Sequence, residues 1–303
     1  MRPRSTRFRA LRRTAAVLLR QPALNLPLRW ALRPISGIVP VVWLSRLPVV
    51  GTVRSTLPSG RELRLRSDGR DVIASALYWR GLPGWEAETF AVLHGLLPRV
   101  QVFFDVGAST GVFSLVAALQ DPARRVFAFE PTPGMSESLA RNIALNGVRN
   151  VTRVEAAVCD HDGTAELFVP PGESLPFGAS TLPSFREPGT RLDVAALRLD
   201  TFVWREGIPR VDFLKLDTEG TEPSVLAGAR HLIERDEPSI LCEVLHGLTE
   251  AALHAELDPR GYRYFAITRH GLEPRSRIIG DSTYRERNWL FATPRRLGPS
   301  GIV

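Results

Sequence analysis

The segment Asp105-Val106-Gly107-Ala108-Ser109-Thr110-Gly111 is built to hold a small ligand. Gly107 and Gly111 let the backbone turn tightly and approach a bound group with no side chain between them. A pyrophosphate loop reads Gly-x-Gly-x-x-Gly, whereas these glycines are spaced Gly-x-x-x-Gly and a carboxylate, Asp105, precedes the first. That acid repels a diphosphate and suits a cation such as the methionine end of S-adenosylmethionine. Nineteen residues beyond Gly111, Glu130 stands where an acid in nucleoside-binding sheets accepts the ribose hydroxyls and rejects a 2′-phosphate. Small residues at Glu155-Ala156-Ala157 leave room for a flat adenine ring. The expected cofactor contacts are therefore Asp105, Gly107, Ser109, Gly111, Glu130, Glu155 and Ala156.

A second cluster, Lys215-Leu216-Asp217-Thr218-Glu219-Gly220-Thr221-Glu222, follows an apolar run. Charged groups at the end of a central strand are costly to desolvate unless they pair, bind or react. Carboxylates and a lysine suit a hydroxyl acceptor, which must lose a proton as a methyl group arrives. The chain lacks the Asn-Pro-Pro-Tyr type of tetrapeptide that amino-methylating enzymes often place here, which disfavours a nitrogen acceptor. Asp217, Glu219 or His246 is expected to take the proton, with Lys215 orienting a carboxylate or the substrate. His246 lies just past Ile240–Val244, and a lone histidine after a strand is more often structural. Asp217, Glu219 and Glu243 are oxygen donors of the kind that bind magnesium, but a metal is not favoured.

The elements that must position these residues alternate. Short apolar runs at Val102–Val106, Arg125–Glu130, Val151–Val158, Val211–Asp217 and Ile240–Val244 read as buried strands, and Thr164–Val169 as a further one. Helical stripes lie between them at Thr110–Leu119, from Pro133 to Gly147 with Thr132 as N-cap, and at Thr221–Ile233. Tyr262–Ile267 and Trp289–Ala292 supply a last pair of strands. The pattern predicts a Rossmann-like doubly wound α/β fold: a mostly parallel sheet with helices on both faces. Residues 101–295 form this domain, 61–100 a helical lead-in and 1–60 a basic extension. Residues 170–190, rich in proline, glycine and serine, read as a flexible loop suited to a substrate lid.

Charge is segregated along the chain. Residues 1–61 hold twelve arginines and no carboxylate, so the net charge of +7 belongs to this leader and the remainder is acidic. Its run Ala15–Leu19 is too short for a signal-peptide core or a membrane span. The leader is suited to an anionic membrane surface or an acidic partner. Cys159 and Cys242 are not closely spaced, so no disulfide framework or zinc cluster is indicated, and a cytoplasmic setting is expected.

Taken together, the chain resembles the FkbM-type family of class I S-adenosylmethionine-dependent methyltransferases from about Asp71 to Ala292. The motifs carrying the resemblance are Asp105–Gly111, Glu130-Pro131, Asn146-Gly147 and Lys215-Leu216-Asp217-Thr218-Glu219-Gly220. Ser109 stands where the family usually has asparagine. The resemblance implies O-methylation of a sugar, polyketide or other small-molecule hydroxyl and does not identify the acceptor. Two other readings are an RNA methyltransferase using the basic leader, disfavoured by the acidic body, and an adenosyl-binding scaffold without catalysis.

Overall fold

The computed structural model describes residues 20–39, 44, 47–169, 180–181 and 190–297. The chain divides into two compact units, Met1–Ala87 and Glu88–Val303. In the first, helix α1 (Pro22–Leu32) is followed by an antiparallel hairpin of β1 (Val50–Thr56) and β2 (Glu62–Asp68), then by α2 (Val72–Arg80). Leu63, Leu65 and Ser67 alternate inward along β2, a two-residue period that makes a strand. The lead-in expected to be helical therefore begins as a hairpin. From Asp71 on it is helical as expected, and the Asp71 carboxylate caps α2 by accepting the Ala74 N–H at 2.9 Å.

The second unit takes in α3 (Ala87–Leu96) from its second residue and continues β3 (Val102–Val106), α4 (Val112–Gln120), β4 (Arg125–Phe129), α5 (Pro133–Asn146), β5 (Val151–Val154), β6 (Ala157–Val158), β7 (Gly163–Val169) and β8 (Thr190–Leu197). Then come α6 (Leu199–Arg205), β9 (Phe213–Leu216), α7 (Glu222–Ala227), α8 (Arg230–Asp236), β10 (Ser239–Glu243), α9 (Glu250–Leu257), β11 (Arg263–Thr268), β12 (Gly271–Arg275) and β13 (Asn288–Ala292). The main sheet has eight strands in the order β12-β11-β13-β10-β9-β3-β4-β5. β10, β9, β3, β4 and β5 are parallel, and antiparallel β13 lies between β10 and β11. The fold is the expected doubly wound, Rossmann-like one.

Alternation along the strands feeds two cores. Phe104, Phe129, Leu214, Leu216, Ile240 and Cys242 pack with residues of α6 to α9 on one face. On the other, Phe103 stacks on Phe213 at 5.2 Å, and Leu139 of α5 packs on Ala128.

Three segments depart from the sequence reading. Val151–Val158 is two strands: β5 ends the main sheet, and β6 pairs with β8 in a separate three-stranded sheet. Thr221–Ile233 is two helices, parted at Gly228, which lies against the Cys159 carbonyl so closely that a Cβ would come 2.0 Å from its oxygen. β12 pairs with β11 beyond the expected last strands. The loop expected at 170–190 lies largely outside the described residues. Of those described, Ser180 is buried and bridges to Phe168, and Thr190 already begins β8.

Candidate active site

Asp105 and Lys215 are cross-strand neighbours on β3 and β9, two residues beyond stacked Phe103 and Phe213 on the same face. Both are buried. The Lys215 ammonium lies 3.7 Å from Asp105 Oδ1, 3.2 Å from Asp217 Oδ2 and 4.7 Å from the centre of the Phe113 ring on α4. Ser114, next along α4, donates its hydroxyl to Asp105 Oδ2 at 2.6 Å. Burial raises the proton affinity of Asp105, and Lys215 and Ser114 oppose that rise. Lys215 thus pairs with two carboxylates from inside the sheet.

The glycine loop is tied down from both sides. Glu130 Oε2 accepts the Ser109 N–H at 2.8 Å, and Oε1 accepts the Thr132 N–H at 2.9 Å. An ionised carboxylate retains further acceptor sites after two such bonds. Burial nonetheless raises the proton affinity of Glu130. Thr132 is the N-cap of α5, as expected, but no side-chain hydrogen bond caps the helix; its amide serves Glu130 instead.

Both loop glycines are demanded by packing within the protein. At Gly107, φ +78°, a Cβ would lie 1.9 Å from the Asp217 carbonyl oxygen; at Gly111, φ +90°, it would lie 2.3 Å from Leu139 Cδ1. Gly107 therefore lets the loop after β3 rest on the end of β9. Ser109 and Glu219, one on each of these loops, hold left-handed φ values of +53° and +55°. Such strain persists only where the surroundings enforce it.

Three polar atoms of this region, Asp105 Oδ1, Ser109 Oγ and Thr110 Oγ1, are buried without a hydrogen-bond partner. Buried polar groups are normally satisfied, so these fit a polar ligand at the loop. Glu155 and Ala156 follow β5 directly. Ala156 is buried, while the half-exposed Glu155 carboxylate accepts from Arg153 at 2.7 Å and Ser136 at 2.9 Å.

Around Asp217 two further acids, Glu222 and Glu243, take parts in the structure that the sequence did not assign them. Fully buried Glu222 accepts the Thr218 N–H, the Thr218 hydroxyl and the Gly220 N–H at 2.8, 3.0 and 3.2 Å, shaping the turn that carries Glu219. Glu243, at the end of neighbouring β10, meets Arg287 at 2.6 Å through Oε1, while its Oε2 is buried without a hydrogen bond. Burial and the nearby Asp217 charge push Glu243 up to about 9, against the pull of Arg287. The Ser180 hydroxyl donates to the Glu219 carbonyl at 2.9 Å, so the described part of the loop expected as a lid touches the site.

His246 is half exposed, with Nδ1 2.8 Å from the Gly280 carbonyl and 3.7 Å from Glu250. Since a carbonyl only accepts, Nδ1 carries a hydrogen in this contact. Among the described residues, one trio of His, Cys, Asp or Glu brings ligand atoms within 4.8 Å of one another: Cys159, Asp160 and His161. Asp217, Glu219 and Glu243 do not gather in this way.

The strand order and the loop-and-acid pair at the carboxyl ends of β3 and β4 define a Rossmann-like protein with a small-ligand site. The chain belongs to the FkbM methyltransferase family, whose Methyltransferase FkbM domain matches residues 105–264. It is 31% identical over 162 residues to Methyltransferase sdnD of Sordaria araneosa, covering 44% of this chain and 61% of that one. It is 29% identical over 163 residues to the 31-O-demethyl-FK506 methyltransferase FkbM of Streptomyces tacrolimicus, covering 45% and 62%. The matches thus span about three fifths of these relatives' length. The solved Methyltransferase FkbM from Methylobacillus flagellatus KT aligns with TM-score 0.42 and 16% identity over 72% of this chain and 54% of that one.

Proposed function

We propose that this protein transfers a methyl group from S-adenosylmethionine to a hydroxyl oxygen of a sugar, polyketide or related small molecule. The observation that carries the reading is the glycine loop bonded through Ser109 to Glu130, with Ser109 Oγ and Thr110 Oγ1 buried there without a hydrogen bond. Family membership supports methyl transfer, and a relative named for a 31-O-demethyl substrate supports oxygen as the acceptor.

S-adenosylmethionine, when bound, supplies an electrophilic methyl on a sulfonium. Asp105, Ser109 and Glu130 would hold it on a loop shaped by Gly107 and Gly111, with Glu155 and Ala156 on the adenine side. What remains for the protein is to align the acceptor and to remove its hydroxyl proton. Asp217 is suited to take that proton, because its side chain is 34% accessible, whereas Lys215 and Asp105 beside it are 5% and 1% accessible. Lys215 fixes the Asp217 carboxylate, Glu219 follows on the same loop, and His246, whose contacts are with Gly280 and Glu250, is the alternative base.

Calorimetry tests the cofactor site. S-adenosylmethionine and S-adenosylhomocysteine should both bind with dissociation constants on the order of micromolar, NAD should not bind, and Glu130→Ala should lose at least about tenfold in affinity. A folded wild type that binds neither adenosyl compound would sink the reading.

A further inference from the structure

Helix α1 is amphipathic in the reverse of the usual sense. Its polar residues point inward. Buried Asn25 donates through Nδ2 to the Pro48 carbonyl at 2.6 Å and accepts the Val50 N–H at 3.3 Å. Buried Arg29 donates to the Val50 carbonyl at 2.6 Å, with its guanidinium 4.3 Å from the centre of the Tyr78 ring. Its apolar residues point outward: Leu24, Leu26 and Trp30 are 54%, 53% and 80% exposed, with Ala23, Pro27 and Ala31 exposed among them. At 3.6 residues per turn these six residues make one continuous face opposite Asn25 and Arg29. Ile38, just beyond, is 85% exposed. A soluble surface helix turns these two faces the other way, and a contiguous apolar patch rimmed by polar groups marks an interaction surface.

The charge of the sequence around α1 points to the occupant. Residues 1–61 carry twelve arginines and no carboxylate, and Arg20 and Arg33 bracket the helix. A tryptophan and leucines flanked by arginines match the interface of an anionic bilayer, with indole at headgroup level, aliphatic groups at the acyl boundary and guanidinium groups on phosphate. We infer that α1 lies flat on an anionic lipid surface through Leu24, Leu26, Trp30 and Ile38, assisted by the arginines. Eleven residues cannot span a bilayer, so the helix rests on it. Among the described residues, no helix is long and apolar enough to cross. Stable anchoring takes two signals, and the segment offers both an apolar face and a polybasic sequence. Lipid binding of this kind does not depend on the proposed reaction.

Co-sedimentation of the full chain with vesicles tests it. The wild type should bind vesicles containing phosphatidylglycerol and bind pure phosphatidylcholine much more weakly. Leu26→Glu/Trp30→Glu should partition at least about tenfold less while melting at the wild-type temperature. Independently, Trp30→Phe should lose most of the blue shift in tryptophan emission that anionic vesicles induce. The inference is overturned if the wild type ignores anionic vesicles, or if the double variant binds them equally, which would leave charge alone as the cause. A wild-type dimer that the double variant converts to monomer would also overturn it, assigning the face to a second copy of the chain.

Discussion

Lys215 is the single lysine among 39 basic residues, and its ammonium reaches Asp105, Asp217 and the Phe113 ring together. A planar guanidinium is not interchangeable with this compact charge at so closed a position. The pairing leaves Asp217 as the accessible acid, so Asp217→Asn should lower turnover by about a hundredfold or more, with S-adenosylmethionine affinity within about twofold of wild type. Equal turnover in the two proteins would remove Asp217 from the reaction. Glu243 makes a separate prediction about stability. It loses its proton near pH 4.5 in the unfolded chain but holds it to about pH 9 when folded, so folding takes up a proton between those limits. Its stabilising contribution is full below pH 4.5 and declines as pH rises through about 9. Urea midpoints of the wild type should therefore fall relative to Glu243→Gln across this window, and parallel curves would refute the shift. Asp105, Lys215 and Asp217 were legible in the sequence because charge at the end of an apolar strand is conspicuous. The roles of Glu222 and Glu243 were not, because neither the Thr218 and Gly220 amides nor distant Arg287 can be matched to them before the turn and β13 are in place.

At the scale of elements, the loop after β3 and the end of β9 are one assembly. Gly107 carries the Asp217 carbonyl against its Cα, and Glu130 clamps the same loop from β4. Gly107→Ala combines a left-handed backbone with a contact that rigid backbone cannot relieve. It should cost about 2–4 kcal/mol in denaturant unfolding and weaken adenosyl binding. Gly147, also left-handed but with open space at the Cβ position, provides the comparison, and Gly147→Ala should cost only about 1–2 kcal/mol with binding unchanged. Equal effects at the two glycines would show that φ alone matters. Most strands and helices follow from periodicity and caps. The exceptions involve contacts from outside the segment: the helical stripe parts at Gly228, where the Cys159 backbone leaves no room for a side chain. Likewise, Val151–Val158 divides because its second half is claimed by β8.

For the whole molecule, charge is divided between the first 61 residues and an acidic remainder. Deleting residues 1–19 removes six arginines and lowers the formal net charge from +7 to +1. The truncated chain should lose most of its retention on a cation exchanger, with S-adenosylmethionine affinity unchanged; salt-sensitive binding of bulk RNA by the full chain that vanishes on this deletion would favour the RNA reading. Retained RNA binding at ~0.3 M salt would instead point to a nucleic-acid site in the body. The sequence by itself determined the parallel α/β core, the two loops at the carboxyl ends of its strands and the basic leader. Each of these is written in local periodicity, in glycine placement or in simple charge. Only the tertiary structure decided the rest: that Lys215 serves two aspartates, that Glu130 holds the loop, that β13 enters beside β10, and that α1 turns its apolar face outward. The physical reason is that periodicity assigns a residue to a face. Strand register and burial decide which distant groups then meet and which face is left to solvent.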